Sequence, residues 1–342
     1  MSFTQEETLI YAHRDTVKGV AIFLVDVAIL VTLAYLALSA SPWWLQTLFS
    51  LATGIMIGIL FVVGHDAAHN ALTPSRQLNY VLGQLALLPA LHPLSLWVNV
   101  HNHTHHRWTN LSPKDYVWTP LSWEAYRALP RRQQLLYRVY RSPLGPAVYY
   151  IYEFWWRKIA FPRKSVVRFK RAHFIDTALV ATFAATYFAL LYFGSERGWF
   201  GGSPRPWWNA ALFGFAIPFL VWNTLMSFVI YLHHTHPRIK WYDDEEVWKR
   251  SPAQLESSVH VIFPGPINLI FHWIMEHTAH HLRPSIPLYR LPAAQRLIES
   301  RERDRIIVFR WSIAAHLDVV RRCKLYDFRA RRWMDFEGNY TS

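Results

Sequence analysis

The chain has 342 residues, 52% of them hydrophobic, with 17 Trp, 17 Tyr and 21 Phe, which leaves room for one large domain or two ordinary ones. That is a membrane-protein composition diluted by a polar portion, and the formal charge of +13 by itself suits nucleic acid, anionic lipid or an acidic protein partner equally. A single cysteine, Cys323, excludes an internal disulfide, a four-thiolate iron centre and a covalently attached haem, so electrons for any redox chemistry are expected from another protein.

Residues 1–19 mix Glu6, Glu7 and Asp15 with Arg14 and Lys18, and the apolar stretch that follows is longer than a signal-peptide core, which predicts a retained span. Four stretches approach the roughly 20 apolar residues that cross a bilayer: about 20–39, 44–63, 174–193 and 209–232. They pair as hairpins around Ser41 and Pro42 and around the loop from Gly194 to Trp208. A fifth stretch, 80–97, is interrupted by Gly83, Gln84, Pro89, His92 and Pro93 and reads as a re-entrant or interfacial segment.

With four spans, residues 1–19, 64–173 and 233–342 share one side and carry every Lys and Arg except Arg197 and Arg205; that side is expected to be cytoplasmic. The basic, aromatic stretch Tyr116–Arg171, with Arg131, Arg132, Arg138, Arg141, Arg157, Lys158, Arg163 and Lys164, reads as amphipathic helices at the membrane surface, and Pro292–Arg332 repeats that character. The expected fold is an all-α integral membrane protein of one domain, residues 1–342. It has four transmembrane helices in two hairpins, a re-entrant segment, and a cytoplasmic helical cap built from 64–173 and 233–342.

The polar parts hold clustered histidines. In HDAAH, His65 and His69 are i, i+4 and share a helix face, with Asp66 beside them as a carboxylate partner for a ligand; alone, such a pair serves equally well as a helix cap. In HNHTHH, His101 and His105 repeat the spacing, His106 is adjacent, and His103 points elsewhere on a regular helix. HTAHH places His277 within a turn of His280 and His281. Imidazole is the commonest neutral metal ligand near pH 7, so these clusters predict a multinuclear metal site. A further ligand is expected from YLHHTHP at the end of the fourth span, His234 first, then His233 and His236; His272 is another ligand or a supporting donor.

If 80–97 crossed the bilayer, the first two clusters would be separated by a hydrocarbon layer about 30 Å thick, a second reason to read it as re-entrant. Ligand type alone fits iron, zinc or copper, while the HExxH and Glu-x-x-His arrangements are absent. A non-catalytic metal transporter or sensor would want polar residues in its spans, where only Asp26 and Asn223 stand out.

HDAAH, HNHTHHRWTN, YLHHTHP and HTAHHLRPSIPLYRLP closely resemble the integral-membrane fatty acid desaturase and hydroxylase superfamily over about residues 20–300. Thr109 and Asn110 after the second box, and Ile286, Pro287, Tyr289, Leu291 and Pro292 after the third, look like the same family. The resemblance implies a cytoplasmic di-iron centre that uses O2 and two external electrons to attack an unactivated C–H bond of a long acyl chain. Its implied ligands are His65, His69, His101, His105, His106, His277, His280 and His281, with His234 as the extra one. Box two carries one more residue before its His-His pair than the commonest form, so His101 and His103 both stay candidates.

The implied activity is acyl desaturation; acyl or alkane hydroxylation, acetylenic bond formation and carotenoid ketolation are alternatives on the same scaffold. The acyl group would arrive on a lipid, coenzyme A or a carrier protein, from surrounding membrane lipids, with no role for nucleic acid. A separate donor such as ferredoxin, rubredoxin or cytochrome b5 is expected, usually acidic, and the basic face suits it and anionic headgroups equally. The expected location is a bacterial inner membrane.

Overall fold

The first apolar run becomes helix α1, Thr16–Ser39, opened by Asp15, whose carboxylate accepts the Lys18 N–H at 3.0 Å. Helix α2, Trp43–Ala68, and α5, Arg171–Glu196, follow the second and third runs, and the fourth run becomes α6, Trp207–His234. These four are the helices long and apolar enough to cross a bilayer among the described residues, which are 5–164, 167–168 and 170–342 of this computed structural model. Each extends past its expected range, α2 by five residues at its end. Hydropathy stops at the first polar residue, whereas the backbone ladder does not, and His65 therefore lies inside the helix.

The chain divides into two units, one formed by Arg14–Asn99 with Glu153–Met226 and the other by Met1–His13, Val100–Tyr152 and Ser227–Ser342. The first unit holds α1, α2, α5 and α6 up to Met226. A Cβ on Gly54 of α2 would meet the Pro218 carbonyl at 2.7 Å, so a hydrogen there is what lets α2 approach α6 this closely. Near the start of α6, residues Leu212–Ala216 widen into a π-helix ahead of Pro218. Proline has no N–H to return to the carbonyl four residues back, and in hydrocarbon a free carbonyl is costly. The Tyr187 hydroxyl of α5 donates to Gly214 O at 2.7 Å, and Ser50 of α2 donates to Phe213 O at 2.6 Å. Neighbouring spans thus satisfy what the proline leaves open.

The 80–97 segment forms two short helices, α3 (Arg76–Leu87) and α4 (Leu94–Val100), each shorter than a span. Asp176, inside the third apolar run but passed over when that run is read for polar residues, is fully buried. Its carboxylate accepts the Tyr80 hydroxyl of α3 at 2.9 Å and the Ser95 N–H in the first turn of α4 at 2.8 Å. One acid on α5 therefore ties down both short helices. Asp176→Ala is expected to cost about 2–3 kcal/mol, the loss of two charge-assisted hydrogen bonds, read as a lowered unfolding temperature in detergent.

The second unit, within a fold that is mostly helical as expected, also holds two short strand pairs. Strand β1, Val259–Ile262, pairs in parallel with β2, Ile307–Arg310, with Val259 opposite Ile307, and β3, Leu325–Asp327, pairs antiparallel with β4, Arg332–Met334. Strands of three and four residues show no usable alternation. Within Tyr116–Arg171 the chain forms helices at Trp123–Ala128, Arg131–Tyr140, Gly145–Tyr149 and Tyr150–Ala160, while residues 165, 166 and 169 lie outside the described ones. Arg141 is not on a surface as expected. It is buried beside Trp118, Tyr137 and Trp333, and donates to Trp118 O at 2.7 Å.

Candidate metal centre

His65 and His69 stand one turn apart at the end of α2, ring centroids 4.8 Å apart. The helix stops there because Asn70 takes a left-handed conformation, φ 55°, which asparagine tolerates better than most residues. Asn70 N–H then reaches Ala67 O and Ala71 N–H reaches Asp66 O, both at 2.9 Å. This pair of bonds closes the carbonyl end and fixes where His69 sits.

In the other unit, His101–His106 is a π-helix. This changes the expected pairing. On an α-helix His101 would share a face with His105; under i→i+5 bonding its turn-mate is His106, and their Nε2 atoms lie 3.0 Å apart. The extra residue of box two is absorbed by the wider turn. His105 is then free to point into a different cluster.

That cluster is His105, His234, His277 and His281, all buried, with one ring nitrogen from each within 4.8 Å of the others. Nε2 to Nε2 distances are 3.1 Å for His105 to His234, 3.1 Å for His234 to His277 and 3.0 Å for His277 to His281. Three of the rings have the other nitrogen engaged. His105 Nδ1 is 3.1 Å from both oxygens of buried Asp115, and His234 Nδ1 is 3.0 Å from Ser257 O. His281 Nδ1 is 3.2 Å from Thr109 Oγ1, whose proton goes to His105 O at 2.9 Å.

Carboxylate and carbonyl oxygens only accept, and the Thr109 hydroxyl has already donated, so each of these Nδ1 atoms carries the proton. The Nε2 lone pairs of His105, His234 and His281 therefore converge on one another inside a buried space. Burial, with the neighbouring histidines adding to it, holds the His277 and His281 imidazoles far below their usual range, so they stay neutral. Converging lone pairs repel unless a cation sits among them. Nitrogens about 2.1 Å from a shared ion lie about 3.0–3.4 Å apart, close to the spacing here. The residues fit a metal ion.

In the same unit His101, His106 and His280 form a second convergence, with His280 Nε2 3.0 Å from His106 Nε2. His103 is exposed and in neither group. His233 stacks on His277 at 3.7 Å between centroids rather than joining it, and His236 packs near Phe309. His272 is also outside both groups; it and Trp273 take left-handed backbone, φ 49° and 61°, in the turn that leads into His277. Asp66 is buried on α2. A carboxylate that lies against a ligand-type histidine is Asp115, in SPKD after box two, a segment with no spacing signal to single it out.

Helix α7, His277–Leu282, is short and leans on its surroundings. Gln295, on α8 (Leu291–Arg301), accepts the Ala279 N–H at 2.9 Å and donates to Glu299 at 2.9 Å. Glu299 also takes a hydrogen bond from His260, whose other nitrogen lies 3.8 Å from Glu276, the residue before His277. Burial pushes the His260 imidazole down, but the two carboxylates outweigh it and hold it up at about 9. A raised value means that the stabilisation is complete below about pH 6.5 and is lost as pH rises through about 9. Thermal unfolding is expected to weaken by on the order of 2 kcal/mol across that window, and His260→Gln is expected to flatten the profile.

Four long apolar helices joined to histidine clusters fit for metal define a membrane metalloprotein. The family model for fatty acid desaturase matches residues 42–312, and the chain belongs to that family. The sn-1 oleoyl-lipid 12-desaturases of a Picosynechococcus strain and of a Synechocystis strain are each 29% identical to it, over 86% and 87% of this chain and 80% of theirs. A chloroplastic omega-6 fatty acid desaturase of Arabidopsis thaliana is 29% identical over 92% of this chain and 66% of its own. The protein is a membrane fatty acyl desaturase, and the family and clusters together support iron as its metal.

Proposed function

We propose that the protein is an acyl-lipid desaturase that converts an oleoyl chain esterified to a membrane lipid into a dienoyl chain by a new double bond at position 12. The substrate class comes from the relatives' names. What carries the rest is the buried convergence of unprotonated Nε2 atoms, which calls for a cation. We assign His105, His234, His277 and His281 to one iron, and His65, His69, His101, His106 and His280 to a second, following the family's box order.

Bound there, the irons supply O2 activation: two electrons from an external donor, two protons and the two hydrogens lost by adjacent methylenes leave O2 as two waters. The protein's share is orientation and exclusion. Asp115, Ser257 O and Thr109 keep protons at Nδ1 of His105, His234 and His281, so that Nε2 faces inward. Burial of all four rings keeps bulk water from the first cluster. The metal-bearing side is assigned to the cytoplasm from the Lys and Arg distribution, in a bacterial inner membrane, with an acidic ferredoxin-like, rubredoxin-like or cytochrome b5-like donor.

Expression in a host rich in oleoyl lipids tests the reading. Gas chromatography of total fatty acids is expected to show an 18-carbon dienoic acid with a double bond at position 12. A hydroxylated or acetylenic product with no new double bond would overturn it.

A further inference from the structure

Within the membrane unit, α1, α2, α5, α6 and the turn between α3 and α4 enclose a cleft of about 210 Å3. Leu30 and Ile57 are buried at its base, while Val31 and Phe188 at its edge are exposed. Its two hydroxyls are both spent on the protein: Thr53 donates to Phe49 O at 2.7 Å and Tyr187 to Gly214 O at 2.7 Å. The space therefore offers water nothing to bond to.

The walls are braced. Phe215 meets Phe188 edge-on at 4.6 Å and stacks on Phe219 at 5.2 Å, and Trp155 packs against Phe219 at 5.1 Å. Leu91, which lines the cleft, sits at φ 55°, a conformation leucine rarely takes. It is held there from both sides, by the Trp155 indole N–H donating to Leu91 O at 3.3 Å and by His92 Nδ1 at 2.7 Å from Ala90 O. Backbone strain survives only where the surroundings over-determine it, and ligand clamps are one such place.

Size and chemistry select the occupant. An apolar cavity of about 150 Å3 stays dry and takes benzene, while drug-sized ligands want about 300 Å3 or more; this cleft suits a segment of alkyl chain, with no polar group to hold a carboxylate or headgroup. Its exposed rim lies on span faces whose solvent is hydrocarbon. We propose that the cleft seats the end of one acyl chain of a bilayer phospholipid, a fixed lipid wedged among the spans and distinct from the chain being desaturated.

The test uses the full protein in nanodiscs of phosphatidylcholine carrying a diazirine at the end of one acyl chain, with crosslinks mapped by mass spectrometry. Labels are expected to concentrate on residues 30–34 and 183–188. Ala184→Trp or, independently, Ala34→Phe fills the space and is expected to lower that labelling about tenfold, the equivalent of roughly two lost methylene contacts, with iron content and labelling at exposed Leu24 unchanged. Labelling that is no denser there than at Leu24, or that both substitutions leave intact, would overturn the proposal. So would stronger labelling of the same residues by a diazirine-oleoyl substrate, with product lost in Ala184→Trp, because the cleft would then be the substrate's seat.

Discussion

Alanine in place of His101, His105 or His280 is expected to lower product formation by at least about a hundredfold while the protein stays in the membrane fraction. Each change removes one ring nitrogen from its convergence, so a metal ion held there loses a ligand. His105→Ala adds a second cost. It removes one of the hydrogen bonds that the buried Asp115 carboxylate accepts, at a cost of about 1.5–3 kcal/mol. His105→Ala is therefore expected to lower the unfolding temperature as well as activity, whereas His280→Ala acts chiefly through metal content. Lipid product analysis, bound iron and an immunoblot of the membrane fraction separate these effects. Activity that survives two such changes contradicts the ligand assignment.

Asp115→Asn is expected to cost about 10–100-fold in iron affinity or turnover, although Asp115 is not assigned as a ligand. Its oxygens take the Asn110 N–H at 2.9 Å and the Val117 N–H at 3.0 Å besides the His105 ring nitrogen. An asparagine has one accepting oxygen for three donors, and its NH2 faces an N–H. The substitution thus loosens the ring orientation of His105 and the left-handed turn at Asn110, φ 57°, together. Iron affinity measured by competition with a chelator checks this directly. A variant with unchanged iron affinity and unchanged turnover would show that Asp115 serves only the loop.

What could be read from the sequence follows from which forces are local. The four spans were legible because crossing hydrocarbon demands a long apolar run, and only their ends moved, as with His65 inside α2. The histidine clusters were legible as clusters, but not their partition. Box two reads as an α-helix by spacing, and the π-helix that sends His106 to His101 and His105 to His234 depends on contacts remote in sequence. His233 and His234 look equivalent in YLHHTHP; Ser257 O binds the ring of one, while the other stacks on His277. Asp115, Gln295 and Asp176 act through partners up to about a hundred residues away, so no periodic pattern marks them.

The protein purified in detergent and assayed for metals by inductively coupled plasma mass spectrometry tests the central claim most directly. The account predicts about two iron atoms per chain with little zinc or copper, and about one or fewer in His105→Ala. A single iron per wild-type chain, or zinc in its place, would contradict it.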